Sequence, residues 1–270
     1  MITLIIEFLA IGVLVGILSS MFGLGGGIII VPILYLLLPS QHIPDSLTMH
    51  VAVASSLAIM IVNSTNATLS HHKRGNIIWP IFMKLAPAIA VGALIGNLVS
   101  HYFDDEILRY LFIAFLIYTV ISSFLKKTFI HVEHSDIQMP RQTITNLVGG
   151  GIGIIATLLG IGGSILTLPF LRRSKLQMIH AVALATPLSL PIALVGSVSS
   201  IFTGLTQTHL PATCLGYINL PAFFGISIGS FVGVPIGIRL AQKLPDQLFS
   251  KLYLLLLLLV TLAMIFDSSY

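Results

Sequence analysis

Two stretches of the chain place glycines where a helix would otherwise run, each followed at once by apolar residues and a proline. They are Gly25, Gly26 and Gly27 before IIIVPIL, and Gly162, Gly163 and Ser164 before ILTLPFL. Glycine costs about 1 kcal/mol per residue within a helix, so such clusters mark real interruptions. Each break frees backbone N–H groups at the start of the next helix, whose positive dipole end favours an anion. The competing reading is a tight turn between closely packed helices. Pro32 and Pro169 are expected to kink the short helices and are assigned no direct chemistry.

Polar side chains follow each break. Ser55 and Ser56 in the first half correspond to Ala185 and Thr186 in the second. Hydroxyls can donate to an anion without the desolvation cost of a buried charge, or they can bond back to their own helix and bridge neighbours. Asn63, Ser64, Thr65 and Asn66 extend the polar track, with Asn63 a candidate for gating. His50 and His180 occupy equivalent positions in the two halves; each could titrate near neutrality and couple proton to anion movement, or simply sit at an interface. Lys84 falls on a small-residue packing stripe and points into the bundle unless its helix rotates. Ionisable residues so placed are costly and usually functional, but Lys84 is also near enough to a helix end to snorkel to the headgroups.

The elements that position these residues follow from composition. The 270 residues are 56% hydrophobic and 8% charged, whereas soluble domains carry roughly 25% charged residues. Apolar stretches of about 20 residues, the length that crosses a bilayer as helix, recur throughout. Lipid offers the backbone no hydrogen-bond partners, so these stretches must be helical. The spacing predicts ten segments: 3–22, 26–39, 46–70, 77–101, 106–125, 143–160, 163–171, 177–205, 217–240 and 247–266. The second and seventh are short for a full span. The opening MITLIIEFLAIGVLVGIL lacks a basic leader and a cleavage site and is expected to be a retained first helix. Cys214 is the only cysteine, which excludes an intrachain disulfide or a multi-cysteine metal site.

Threading the chain through ten spans puts Lys73, Arg74, Lys126, Lys127, Arg141, Arg172, Arg173, Lys175, Arg239, Lys243 and Lys251 on or near one side, with Arg109 alone at the other. By the positive-inside rule the basic side is the cytoplasm and both termini face out. The net charge of +4 therefore sets orientation and implies no nucleic-acid partner. The expected organisation is a first transmembrane repeat over 1–127, a cytoplasmic linker over 128–142 and a second, inverted repeat over 143–270.

The repeat is visible directly. GLGGGIIIVPIL (Gly23 to Leu34) lies over GIGGSILTLPFL (Gly160 to Leu171), and HVAVASSL (His50 to Leu57) over HAVALATP (His180 to Pro187). Gly16 falls over Gly153, and Pro80, Gly92, Gly96 and Asp105 fall over Pro221, Gly233, Gly237 and Asp246. Five segments per unit is an odd number, so the second copy enters the membrane inverted, the arrangement of secondary transporters with substrate near the midplane. Gly225, Gly229, Gly233 and Gly237 form a close-packing stripe whose counterparts are Lys84, Ala88, Gly92 and Gly96.

The paired G-x-G-G-G/S…P signatures with their following AVASSL and ALATPL segments resemble the sulfite exporter TauE/SafE family of membrane permeases. The resemblance covers essentially the whole chain. It implies an all-α polytopic protein of a bacterial inner membrane that moves sulfite, sulfonates or related organic anions. The resulting expectation is an alternating-access carrier, not an enzyme, with no cofactor or metal. Its partners are a small anion, the bilayer and a coupling proton or ion, the oligomeric state being open.

Rival readings are an anion channel of the same fold, an intramembrane hydrolase using Ser227 and a histidine, and a structural or sensory subunit. Gly225-Ile-Ser227-Ile-Gly229 fits a nucleophile elbow, yet it lies in a span without the strand–turn–helix setting that motif needs. Gly151-Ile-Gly153-Ile-Ile-Ala156 fits a dinucleotide fingerprint, with no soluble βαβ unit around it.

Overall fold

The computed structural model describes residues 2–22, 25–41, 43–100, 102–125, 141–205, 207 and 210–267. Gly23 of the first glycine motif, and all of the expected linker except its last two residues, lie outside them. The fold is helical. The described elements are α1 (Ile2–Phe22), α2 (Gly27–Leu37), a 3-10 turn (Leu38–Gln41), α3 (Asp45–Lys73), α4 (Trp79–Ser100), α5 (Asp105–Leu125), α6 (Gln142–Leu159), α7 (Ser164–Arg173), α8 (Met178–Gly204), α9 (Leu220–Lys243) and α10 (Asp246–Asp267). A two-residue-per-strand antiparallel hairpin, β1 (Cys214–Leu215) and β2 (Ile218–Asn219), leads into α9. Each helix begins and ends within a few residues of the segment read from sequence, because apolar run length and glycine breaks set both limits.

Among the described residues α3, α4, α6, α8 and α9 are long and apolar enough to cross a bilayer. Their outer faces carry bare hydrocarbon, such as Met83 at 68% exposure and Leu98 at 65%. Exposed apolar area on that scale is lipid-facing. At 11 and 10 residues, α2 and α7 are too short to cross. The end of α2 returns to where α3 and α5 begin. There Gln41 Oε1 accepts from Asn219 Nδ2 at 3.1 Å, and the Arg109 guanidinium lies over the Tyr35 ring. Thus α1–α2 is a hairpin whose tip is buried in protein.

The main helix pairings are kept when α1–α5 are exchanged with α6–α10. Helix α1 lies along α9 as α6 lies along α4; α3 meets α9 as α8 meets α4; α2 packs on α3 as α7 packs on α8. The glycine stripes knit the two outer pairs. A Cβ on Gly229 would run into the Leu9 carbonyl, one on Gly233 into Val13 and Gly16, and one on Gly237 into Ile17. In the other pair, Gly92 meets Gly150, Gly96 meets Ile154, and Gly153 meets Ile89 and Gly92. Each pair runs parallel, since position rises together along both helices.

At the centre α3 and α8 cross in opposite directions. Leu57 packs on Gly196, while His50 near the start of α3 shares a small cavity with Ser200 and Thr203 near the end of α8. The opposite end of the molecule holds the basic residues. Arg74 donates to Gln242 Oε1 at 2.6 Å, and His180 Nδ1 lies 3.0 Å from the Asn76 carbonyl.

Lys84 is a correction to the sequence reading. It stands on the stripe, yet its side chain is exposed. The partner helix α6 begins only at Gln142, whose amide donates to the Lys84 carbonyl at 3.2 Å. The stripe therefore runs past the end of its partner, and the lysine has open surface to extend along.

The stripes carry a stability prediction. Gly92→Ala puts a methyl into the Gly150 backbone, which cannot give way, and should cost about 2 kcal/mol or more. Gly151→Ala, where no atom lies within 4 Å, should be neutral or stabilising by up to about 1 kcal/mol. Thermal melting of the two detergent-purified variants checks the contrast.

Candidate functional site

Both hairpin tips open at the middle of the bundle, and they meet. Gly25 (φ +63°), Gly26 (φ +100°) and Gly162 (φ +66°) have left-handed backbones that only glycine takes without strain. An added Cβ on Gly25 would lie 2.9 Å from Met60 Sδ, and one on Gly162 would lie 2.6 Å from the same sulfur. The space at Gly27 is filled by the Gly160 carbonyl and the Ile161 backbone of the other half. One thioether from the middle of α3 thus touches both openings.

Helices α2 and α7 start there, and neither has a side-chain cap. The first N–H groups of a helix have no acceptor within it, and each helix start carries a partial charge of about +0.5. Polar side chains converge on the same place. The Gly26 Cβ position is 3.1 Å from Asn63 Nδ2, that of Gly25 is 3.3 Å from Ser64 Oγ, and that of Gly162 is 3.3 Å from Ser189 Oγ. Asn63 is 1% exposed, and neither its amide nitrogen nor its oxygen has a partner. Ser64 Oγ and Ser164 Oγ are likewise buried and unpaired. Leaving a buried polar group unmet costs about 1–3 kcal/mol, so several at two uncapped helix starts mark a place built to receive polar atoms from outside.

The remaining residues singled out from sequence divide sharply. Ser55 Oγ accepts from Asn219 N at 2.8 Å and holds the start of α9; Ser56 donates to the Gly160 carbonyl at 2.8 Å and ties α3 to the second opening. Thr186 donates to the Val182 carbonyl of its own helix at 2.9 Å. All three hydroxyls serve the scaffold, Ser55 as acceptor and Ser56 and Thr186 as donors. Gly163 faces Ile192 and Ile152, an apolar setting. The surface position of Lys84 keeps it outside this cluster. Asn63, read from sequence as a gating residue, instead sits directly at the first opening.

The two histidines lie at opposite ends of the molecule with different partners. His50 Nδ1 is 2.7 Å from Asp105 Oδ1, and the same carboxylate accepts from the backbone N–H groups of Met49 and His50. The imidazole stacks on Tyr217, whose phenol burial pushes up in pKa and keeps neutral. With Asn97, Ser100, Thr157 and Thr203 they line a cavity of about 30 Å³. Among the described residues His180 meets only the Asn76 carbonyl, at the basic end. Between site and basic end, α3 carries further buried unpaired polar atoms on Asn66, Thr68 and His71.

Sequence reasoning missed Asp105, Tyr217 and Met60. Asp105 had appeared only as a repeat match, and nothing in a methionine's spacing marks it as central. Ser227 Oγ is buried without a hydrogen-bond partner, so the hydrolase reading has no base to activate its nucleophile.

Comparison with known proteins decides the family. The model of the sulfite exporter TauE/SafE family matches residues 8–264. The chain belongs to that family. A probable membrane transporter protein of Haemophilus influenzae is 33% identical over 86% of this chain and 86% of its own. Another from Methanocaldococcus jannaschii is 32% identical over 78% of this chain and 76% of its own, and a third from Bacillus subtilis is 28% identical over 82% and 85%. No solved structure matches. As a TauE/SafE member the chain is a membrane transporter, and its work is moving a small substrate through the bilayer.

Asn63→Leu separates function from fold at this site. Removing a buried, unpaired amide should leave the melting temperature unchanged or raise it, while substrate-dependent stabilisation falls at least tenfold in apparent affinity. Ser56→Ala should do the reverse, losing about 1 kcal/mol of stability with its bond to Gly160 and changing affinity little. Melting curves with and without anion separate the two outcomes.

Proposed function

We propose that this transporter is a secondary carrier of a small anion, a sulfur oxyanion or organosulfonate such as sulfite or sulfoacetate, working by alternating access. The observation that carries the reading is the meeting of two uncapped helix starts at the centre of the bundle, ringed by the unpaired side chains of Asn63, Ser64 and Ser164. Two partial positive ends and neutral donors hold a single negative charge without burying a cation. Irregular backbone at this depth is tolerated only inside protein or along a cavity, which suits a site reached from each face in turn. The oxyanion's sulfur comes from the family resemblance.

In this reading the two halves are inverted repeats. The matching main helix pairs and the antiparallel crossing of α3 and α8 support it, since equivalent helices that run in opposite directions imply a two-fold axis across them. Such halves can swap conformations at little cost, which makes outward-open and inward-open states close in energy. The basic end faces the cytoplasm of a bacterial inner membrane, placing both termini outside. His50, with Asp105 2.7 Å away, guards the outer mouth and His180 the inner one. Arg74, through its bond to Gln242, ties α3 to α9 at the inner face.

Purified protein in liposomes should accumulate labelled sulfite against counterflow of unlabelled sulfite, with saturation and trans-stimulation. A channel of the same fold would show neither, and that result would replace the carrier reading. Asp105→Asn should abolish any acceleration of uptake by an imposed proton gradient while counterflow persists; equal acceleration in both proteins would remove His50–Asp105 from coupling.

A further inference from the structure

Among the described residues Met60 touches both helix openings, and it occupies the volume between them. Its sulfur contacts the Gly25 and Gly162 positions at once, and its methyl lies 3.4 Å from the latter. The residue is fully buried at the middle of α3. Around it stand Ser189, which donates to the Ala185 carbonyl of its own helix at 3.2 Å, and Ser64 and, one turn on, Asn63, whose polar atoms have no partner and no reason to surround a thioether. Helix starts and unpaired amides are poor company for an apolar side chain and good company for an anion. The counterpart of Met60 in the second half is Leu190, by the same offset that relates His50 to His180. Leu190 is only partly buried, so a single side chain, contributed by one half, fills the shared centre.

Resting on the carrier reading, we infer that Met60 is a retractable plug: in the empty protein it fills the substrate's place, and its length sets the largest anion accepted. Methionine suits this task. Three rotatable bonds let it swing without backbone movement, and a polarisable thioether tolerates polar neighbours better than a branched hydrocarbon does. When the side chain retracts, it uncovers the α2 and α7 starts together with Asn63 and Ser64, so the binding groups become available only as the plug leaves. An anion no bulkier than the plug fits the vacated space. A bulkier one meets Met60 before it reaches either helix start.

The test is counterflow in liposomes with two labelled anions, sulfite and benzenesulfonate, for the unchanged protein, Met60→Ala, Met60→Val and Met60→Leu. Met60→Ala is expected to raise the benzenesulfonate-to-sulfite ratio at least tenfold. Met60→Val should raise it by less, and Met60→Leu, of similar volume, should hold it within about twofold of the starting value. If Met60→Ala fails to assemble, the graded rise from Leu to Val carries the same decision. An unchanged ratio in every variant that still moves sulfite overturns the plug and leaves the carrier standing. Failure of the unchanged protein to exchange either anion, while it remains folded by melting, overturns the carrier reading and the plug with it.

Discussion

Hydrocarbon has nothing to offer an unpaired N–H or C=O, and the whole architecture follows from where this chain breaks that rule. It interrupts two helices at the middle of the bundle. Such interruptions must be wrapped in protein, and the wrapping is done by the two longest apolar helices, α3 and α8, which cross there. The outer pairs, α1 with α9 and α4 with α6, hold the hairpins in place by backbone-to-backbone contact along glycine stripes. Between helices in lipid there is little hydrophobic drive, so close approach through small residues supplies the attraction. The stripes and the breaks are two uses of one residue: glycine in a helix admits a neighbour's backbone, and glycine out of a helix opens a site.

The polar groups near the breaks then sort by whether the scaffold satisfies them. Ser55, Ser56 and Thr186 spend their hydroxyls on Asn219, Gly160 and Val182. Asn63, Ser64 and Ser164 do not. Bonds that tie α3 to α9 and to the second opening fix the frame, while unsatisfied groups leave a local deficit that a ligand can fill. Stability and receptivity are thus assigned to neighbouring residues of one helix. A site made of neutral donors and helix ends also avoids the several kcal/mol of desolvation that a buried lysine would impose. The surface position of Lys84 fits that economy.

The two ends of the molecule are built unequally around related histidines. A carboxylate, an aromatic ring and a ring of hydroxyls attend His50, whereas a single backbone carbonyl attends His180. Each histidine meets a residue just ahead of the fourth helix of the opposite half, Tyr217 for His50 and Asn76 for His180. The contact is duplicated and the chemistry is not.

Much of this was legible without coordinates. Apolar run length determines the helices, because lipid leaves no other backbone conformation open. Gly25, Gly26 and Gly162 announce the breaks because no other residue takes their backbone angles cheaply, and Gly, Pro and His recur in the same order in the two halves of the sequence. What the tertiary structure alone decided is which polar atoms remain unpaired and what fills the space between the openings. Ser56 reaches a carbonyl 104 positions away, Asn219 donates its backbone N–H to a serine 164 positions away, and Lys84 escapes because its partner helix ends beside it. Hydrogen-bond satisfaction depends on how each helix is turned about its own axis and on what a distant segment brings to it. Neither quantity is carried by local residue order, so Asn63 and Met60 became central only once the halves were packed together.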